Sequence, residues 1–328
     1  MPDSKRRWSL LSWFLCVALI VGAAFTYPKW EKAHSEATLS WDVMGFYLYL
    51  PATFIYKDLK QLKFRDDIIK KYRPTGSFYQ AYEIENGNYV MKYPIGLAIL
   101  FSPFFALATL WAKVSGQPID GFSPPFQFAI SWGGILMSFV GLWITRKNLL
   151  HYFSEGVTAL VLIAIVFGTN YLNYSAIGSA HTHNWLFTIY ALLIFFSIRW
   201  HQRPSVALSL AIGACVGLAA LTRPTDIIAF LIPLFWGLGE GSSSIRSAFA
   251  ERLQTIRLHF GKLLLAILVI ALFGCLQLIY WKYVSGQWIQ YSYQDQGFSW
   301  NGSHLRDTFF SFRKGWLIYT PIMSLALI

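Results

Sequence analysis

The placement of charge along this chain constrains its fold more than any other feature. Uncharged stretches at 8–28, 93–112, 121–145, 156–180, 204–222 and 263–281 each run about 19 to 25 residues, and the charged residues collect between them. At about 1.5 Å rise per residue, roughly 20 apolar residues cross a bilayer as a helix. Shorter apolar stretches at 184–198, 227–239 and 315–328 are weaker candidates. With 55% hydrophobic residues against 13% charged, the chain reads as an all-α polytopic membrane protein.

In a soluble protein a net charge of +11 would point to nucleic acid. Here basic cytoplasmic loops facing anionic headgroups account for it, so the expected partners include membrane lipids and no nucleic acid. Cys16, Cys215 and Cys275 all fall in apolar stretches, which leaves no disulfide framework and no CxxC metal site. Lys5, Arg6 and Arg7 precede the first apolar run as in an uncleaved signal anchor. The last residues stop inside an apolar run, as expected of a fragment truncated at its C-terminus.

If Lys5–Arg7 is cytoplasmic and every long stretch spans, then Arg146/Lys147, Arg199/Arg203 and the basic loop 240–262 all fall outside, against the positive-inside rule. All three return inside if one stretch between 28 and 121 does not cross. Pro94, Gly96 and Pro103 single out 93–112 as a hydrophobic helix lying at the outer interface. The expected spans are then 8–28, 125–145, 156–176, 182–199, 205–222, 225–241, 263–283 and 315 onward. A rival topology keeps 93–112 as a span and puts the N-terminus outside.

The chain is expected to form one transmembrane domain over 1–328, with an outer loop module at 29–124. Tyr56, Leu59, Leu62, Ile69 and Tyr72 recur at helical spacing, which predicts an amphipathic surface helix. Ser77–Ile84 and Tyr89–Tyr93 flank an Asn-Gly turn and predict a short β-hairpin that delivers Lys92 and Tyr93 to the membrane surface.

The unusual polar residues converge on the outer face. Asp42 sits among aromatic and aliphatic neighbours, where a carboxylate needs a partner or a task. It reads either as a cap or local ion pair, or as a general base or substrate-orienting group. His181-Thr-His183 lacks a nearby carboxylate, so hydrogen bonding to a polar or phosphate group is favoured over metal binding. Arg223, in Arg223-Pro-Thr-Asp226, reads as a snorkelling side chain or as a bidentate holder of a lipid phosphate. Arg313 and Lys314 carry the same two readings.

The order of these features resembles the GT-C superfamily of polyprenyl-phosphate-sugar-dependent membrane glycosyltransferases, in particular relatives of the protein O-mannosyltransferases and aminoarabinose transferases. The motifs are Tyr93–Gly96, His183, Thr222–Thr225 and Ser311–Pro321, and the resemblance covers nearly the whole chain. It implies a GT-C-like helical bundle in a bacterial inner membrane, with its site facing the periplasm. The implied reaction is inverting sugar transfer from a polyprenyl-phosphate donor to a hydroxyl of a glycan, lipid or protein acceptor.

Under that resemblance Asp42 is the base, and Arg223, Lys92, His183, Arg313 and Lys314 bind the donor phosphate. Trp41, Tyr47, Tyr93, Trp300 and Tyr319 line the sugar or lipid, or else form an interfacial aromatic belt; no metal is held and no cofactor is needed. The better-known members carry an Asp-Glu pair in the first outer loop, whereas here Asp42 is followed by Val43. A transporter of a lipid-linked sugar and a non-catalytic envelope assembly protein are the competing functions.

Overall fold

The computed structural model describes residues 7–239, 244–293, 304–313 and 315–327. Trp300 and Lys314 lie outside the described residues, as do Met1–Arg6 and residues 240–243 of the basic loop. The chain runs α1 (Trp8–Thr26), α2 (Trp41–Tyr47), α3 (Arg65–Tyr72), β1 (Ala81–Glu83), β2 (Tyr89–Met91) and α4 (Gly96–Val114). It continues through α5 (Pro124–Tyr152), α6 (Glu155–Gly168), α7 (Tyr171–Ala176), α8 (Thr182–Gln202) and α9 (Val206–Thr222). A 3-10 turn (Pro224–Phe230) then leads into α10 (Leu231–Phe235), followed by α11 (Ile245–Leu258), α12 (Phe260–Ser285), α13 (Leu305–Phe310) and α14 (Trp316–Tyr319).

Among the described residues, four helical segments are long and apolar enough to cross a membrane: Trp8–Glu31, Gly96–Val114, Pro124–Tyr152 and Phe260–Ser285. Leu11, Phe14, Leu160, Leu268 and Leu272 stand exposed on the outside of the bundle. Water would penalise such a surface, whereas hydrocarbon does not. The chain is a helical membrane protein.

Contacts at the two ends set the direction of each helix. At one end the Arg146 Nε donates to Ser9 Oγ at 2.8 Å, and the Ser9 amide donates to Glu155 at 2.9 Å. There too Gln202 meets His151 at 2.9 Å, and the Lys262 ammonium donates to the Pro204 carbonyl at 2.9 Å. The basic segments that the charge argument wanted together therefore share this end. At the other end Trp30 packs on Phe128 and Trp132, Ser131 meets Ser179, and Ile95 donates to Gln277.

The C-terminal end of α1 and the N-terminal end of α5 consequently lie on the same side, and the whole of 27–123 between them stays there. Helix α4 illustrates the point. Its first turn abuts the end of α9, where a Cβ on Gly96 would collide with the Leu221 backbone. Phe101 and Phe104 pack on Trp185 in the first turn of α8, and Trp111 packs on Phe128 near the start of α5. Although long enough to traverse the bundle, α4 lies across its ends. Single cysteines at Ser77 and Gln117, placed in a cysteine-free background, should accordingly be labelled by an impermeant maleimide from one side, and Ser154→Cys from the other. Labelling of positions 77 and 117 from opposite sides would mean that α4 crosses.

Other expectations give way to local chemistry. The amphipathic helix over 56–72 is reduced to the eight residues of α3. Asp58 turns the chain by accepting from the amides of Gln61 and Lys63, and Lys57 and Leu62 take left-handed φ values of 52° and 51°. The span 156–176 breaks between α6 and α7, where Thr169 is extended and its hydroxyl accepts the Tyr171 amide. Segment 225–241 shortens to the turn and α10, and the stretch from 315 forms only α14 and a 3-10 turn, Pro321–Leu327, whose Ile322 meets Gly168.

The hairpin forms as expected, with Ala81 opposite Met91, Tyr82 opposite Val90 and Glu83 opposite Tyr89. Gly87 supplies the φ of 76° that the turn requires. The module is tied to the bundle by buried hydrogen bonds, Leu39 N to Gln127 and Met91 N to Tyr280 OH, and closed on itself by Tyr47 OH to the Gly121 carbonyl.

Candidate functional site

Asp42 lies in the first turn of α2, on a helix that is held from both sides. The Trp41 amide donates to the Pro74 carbonyl and its indole N–H to the Ser35 carbonyl at 3.0 Å. The ring of Tyr93 stacks on Phe46 at 4.4 Å between centroids and fills the space beside Gly45. Two hydroxyls then converge on one carboxylate oxygen. Tyr79 donates to Asp42 Oδ1 at 2.7 Å and Tyr93 donates to the same atom at 2.6 Å. Burial first, and the neighbouring Asp42 second, raise both phenols above their ordinary range, so they remain protonated donors. Asp42 itself is exposed, and its Oδ2 has no hydrogen bond among the described residues.

Cations surround this carboxylate without pairing to it. The Lys92 ammonium sits 5.3 Å from the ring centre of Tyr79, 5.8 Å from that of Tyr93 and 5.6 Å from that of Tyr293. Arg223 caps α9, is exposed, and makes no ion pair with Asp226 or any other described carboxylate. Both Arg223 and Asp42 lie within electrostatic range of the Tyr293 hydroxyl, Asp42 raising its pKa and Arg223 lowering it. His183 is within electrostatic range of Arg223 and Asp226, and His181 within range of Lys29, His183 and Asp42.

Of the expected residues, the fold thus gathers Asp42, Lys92, Tyr93, His183 and Arg223, with exposed Trp41 beside them. Tyr47 is different: it is fully buried, packed by Phe101, Phe105 and Phe122, and serves the core instead of lining a ligand surface. Arg313 and Tyr319 belong to the segment after α13. No described hydrogen bond, ion pair or ring contact joins them to Asp42, Lys92 or Arg223; Tyr319 donates to the Phe312 carbonyl. No group of three or more His, Cys, Asp and Glu side chains among the described residues is arranged to hold a metal.

Tyr79, Tyr293 and Lys29 complete the surface and had not been singled out. A signal existed for Tyr79. Extending the hairpin register two residues beyond Ala81 and Met91 sets Tyr79 opposite Tyr93, on the same face. Tyr293 and Lys29 carry no comparable mark, since each arrives from a different part of the chain.

Burial, with Lys29 and His183 adding repulsion and Asp42 opposing it, lowers the His181 pKa to about 4. The folded state therefore holds His181 neutral while the unfolded chain protonates near 6.5, so this contribution to stability is full above pH 6.5 and is lost as pH falls toward 4. Each unit of separation is worth about 1.4 kcal/mol. Wild-type protein should lose more thermal stability than His181→Gln over that interval, measured by melting in detergent. Parallel curves would place His181 in contact with water.

Comparison with protein-family models, with curated proteins and with solved structures finds no match to this chain.

Proposed function

We propose that this protein is an inverting membrane glycosyltransferase of GT-C type, moving a sugar from a polyprenyl-phosphate donor to an acceptor hydroxyl on the module side of the bundle. The observation that carries this reading is the Asp42 carboxylate, clamped through one oxygen by two tyrosine hydroxyls, with Lys92 over the clamping Tyr79 ring and Arg223 within electrostatic range of the neighbouring Tyr293, neither cation in an ion pair among the described residues. Displacement at an anomeric carbon needs a base on one side and charge stabilisation for a departing phosphate on the other. The clamp fixes the carboxylate rotamer, so Oδ2 can accept the acceptor's proton as its oxygen bonds to the anomeric carbon.

In the same step the anomeric carbon–phosphate oxygen bond breaks, through an oxocarbenium-like transition state. Arg223 and Lys92 stabilise the polyprenyl phosphate that leaves, and His183 hydrogen-bonds it. Phosphate is a good leaving group, so no general acid is required. Arg223 caps α9 and Lys92 directly follows the hairpin, so these charges sit at the ends of elements, which favours chemistry at a surface over transport through the core. The bacterial inner membrane, with the module facing the periplasm, is the compartment that fits this donor.

The direct test is release of polyprenyl phosphate and formation of glycosylated product in membranes containing the protein, across a panel of polyprenyl-phosphate hexoses and pentoses. Release with at least one donor is expected. No release from any donor, from protein that is folded and binds donor, would overturn the reading.

A further inference from the structure

A cleft of about 560 Å³ opens between α3, the hairpin and residues Ser292 and Tyr293, and it shares Tyr79, Lys92 and Tyr293 with the surface around Asp42. We infer that this cleft is a carbohydrate subsite that seats a neutral glycan acceptor alongside Asp42; the acceptor role rests on the glycosyltransferase reading, whereas glycan binding does not. The volume is that of a formed small-ligand site.

Its walls are ring faces. Phe78, Tyr82 and Tyr89 line it together with the shared Tyr79 and Tyr293. The Arg65 guanidinium sits over two of these rings, 4.5 Å from the Tyr89 ring centre and 5.3 Å from that of Phe78. Flat aromatic and guanidinium surfaces suit the C–H face of a pyranose, while carboxylate oxygens beside them suit its hydroxyls.

Apart from Lys92, which faces the Asp42 side, the charges in the cleft are paired or hydrogen-bonded. Arg65 pairs with Asp66 through two hydrogen bonds of 2.7 and 3.2 Å, and Glu83 accepts from the Tyr89 hydroxyl at 3.0 Å. A polyanion finds no row of unpaired cations here. A hydrocarbon chain would strip water from Arg65, Asp66 and Glu83 without replacing it. An extended peptide would add to a strand edge; the outward amides of β2 are already engaged, Tyr89 N with the Lys60 carbonyl and Met91 N with Tyr280 OH, which leaves only the three-residue edge of β1. A neutral, hydroxyl-rich ligand fits what remains.

The test uses the full chain in lipid nanodiscs, titrated with fluorescent tetrasaccharides (gluco-, manno- and chito-configured) and, separately, with Ser/Thr-containing peptides of similar length. Saturable binding of at least one tetrasaccharide is expected. Tyr89→Ala and Phe78→Ala should each weaken it at least tenfold, while Tyr89→Phe, which keeps the ring, stays within a few-fold of wild type. Melting curves identify any variant that fails to fold, and the two alanine variants lie on different segments, so one suffices. Absence of tetrasaccharide binding, equal binding by both alanine variants, or binding of the peptides alone overturns the subsite. Ring-dependent glycan binding with no sugar transfer upholds the subsite and removes the enzymatic reading. Transfer that is indifferent to Tyr89→Ala does the reverse.

Discussion

Asp42→Asn is expected to lower sugar transfer by ~10²–10⁴-fold, the usual contribution of a positioned general base. The amide oxygen can still accept from Tyr79 and Tyr93, so the clamp and the stacking of Tyr93 on Phe46 survive the change. What is lost is the ability to take a proton. Donor binding and the melting temperature should stay close to wild type, because Asp42 is exposed and its Oδ2 has no described partner to forfeit. The measurement is the initial rate of product formation at matched protein concentration. Transfer within a few-fold of wild type would take Asp42 out of the mechanism, and with it the main reason to regard this chain as an enzyme. A transporter or scaffold should tolerate the substitution.

Arg223→Ala is expected to act on a different quantity. Removing one partner of a hydrogen-bonded charge pair costs roughly 2–5 kcal/mol, so donor affinity should fall by about 30-fold or more. Arg223 makes no ion pair among the described residues, and its backbone amide keeps its bond to the Ala219 carbonyl whatever the side chain. Folding should therefore change little, within the range typical of surface substitutions. Arg223→Lys should recover only part of the affinity, since an ammonium cannot form the bidentate fork. Titration with a polyprenyl-phosphate sugar reads the effect directly. Equal affinity in wild type and Arg223→Ala would return Arg223 to the snorkelling role.

The two substitutions separate the base and the phosphate holder of the proposed mechanism, because the two residues lie on different elements. Lys92 stands over three tyrosine rings, two of which form the Asp42 clamp, whereas Arg223 reaches the surface from the end of α9. Trp41 and Tyr93 belong to the clamp side. Arg313 and Tyr319, in the segment after α13, have no described link to either group.

The sequence by itself determined the membrane character, the separation of basic segments from the polar module, and the hairpin. These follow from local and additive quantities: runs without charge, the sign of loop charges, and an Asn-Gly turn between aromatic-rich arms. The long apolar stretches announced helices, but hydropathy could not say what each helix packs against. The prolines and glycine of 93–112 already marked α4 as an interfacial helix, but only the tertiary structure showed its partner, with Gly96 against the Leu221 backbone. It also broke 156–176 at Thr169 and placed Tyr47 wholly inside.

The candidate site divides the same way. Asp42, Lys92, His183 and Arg223 were legible because a charge or imidazole beside apolar sequence is conspicuous. Tyr79 and Tyr93 reach Asp42 from 37 and 51 residues away, and Tyr293 arrives from beyond α12. The motif around Tyr93 and the hairpin register of Tyr79 marked those two, but Tyr293 had no such local mark in a chain this rich in aromatic residues. Its role is decided by which distant segments the packed bundle brings within hydrogen-bonding reach.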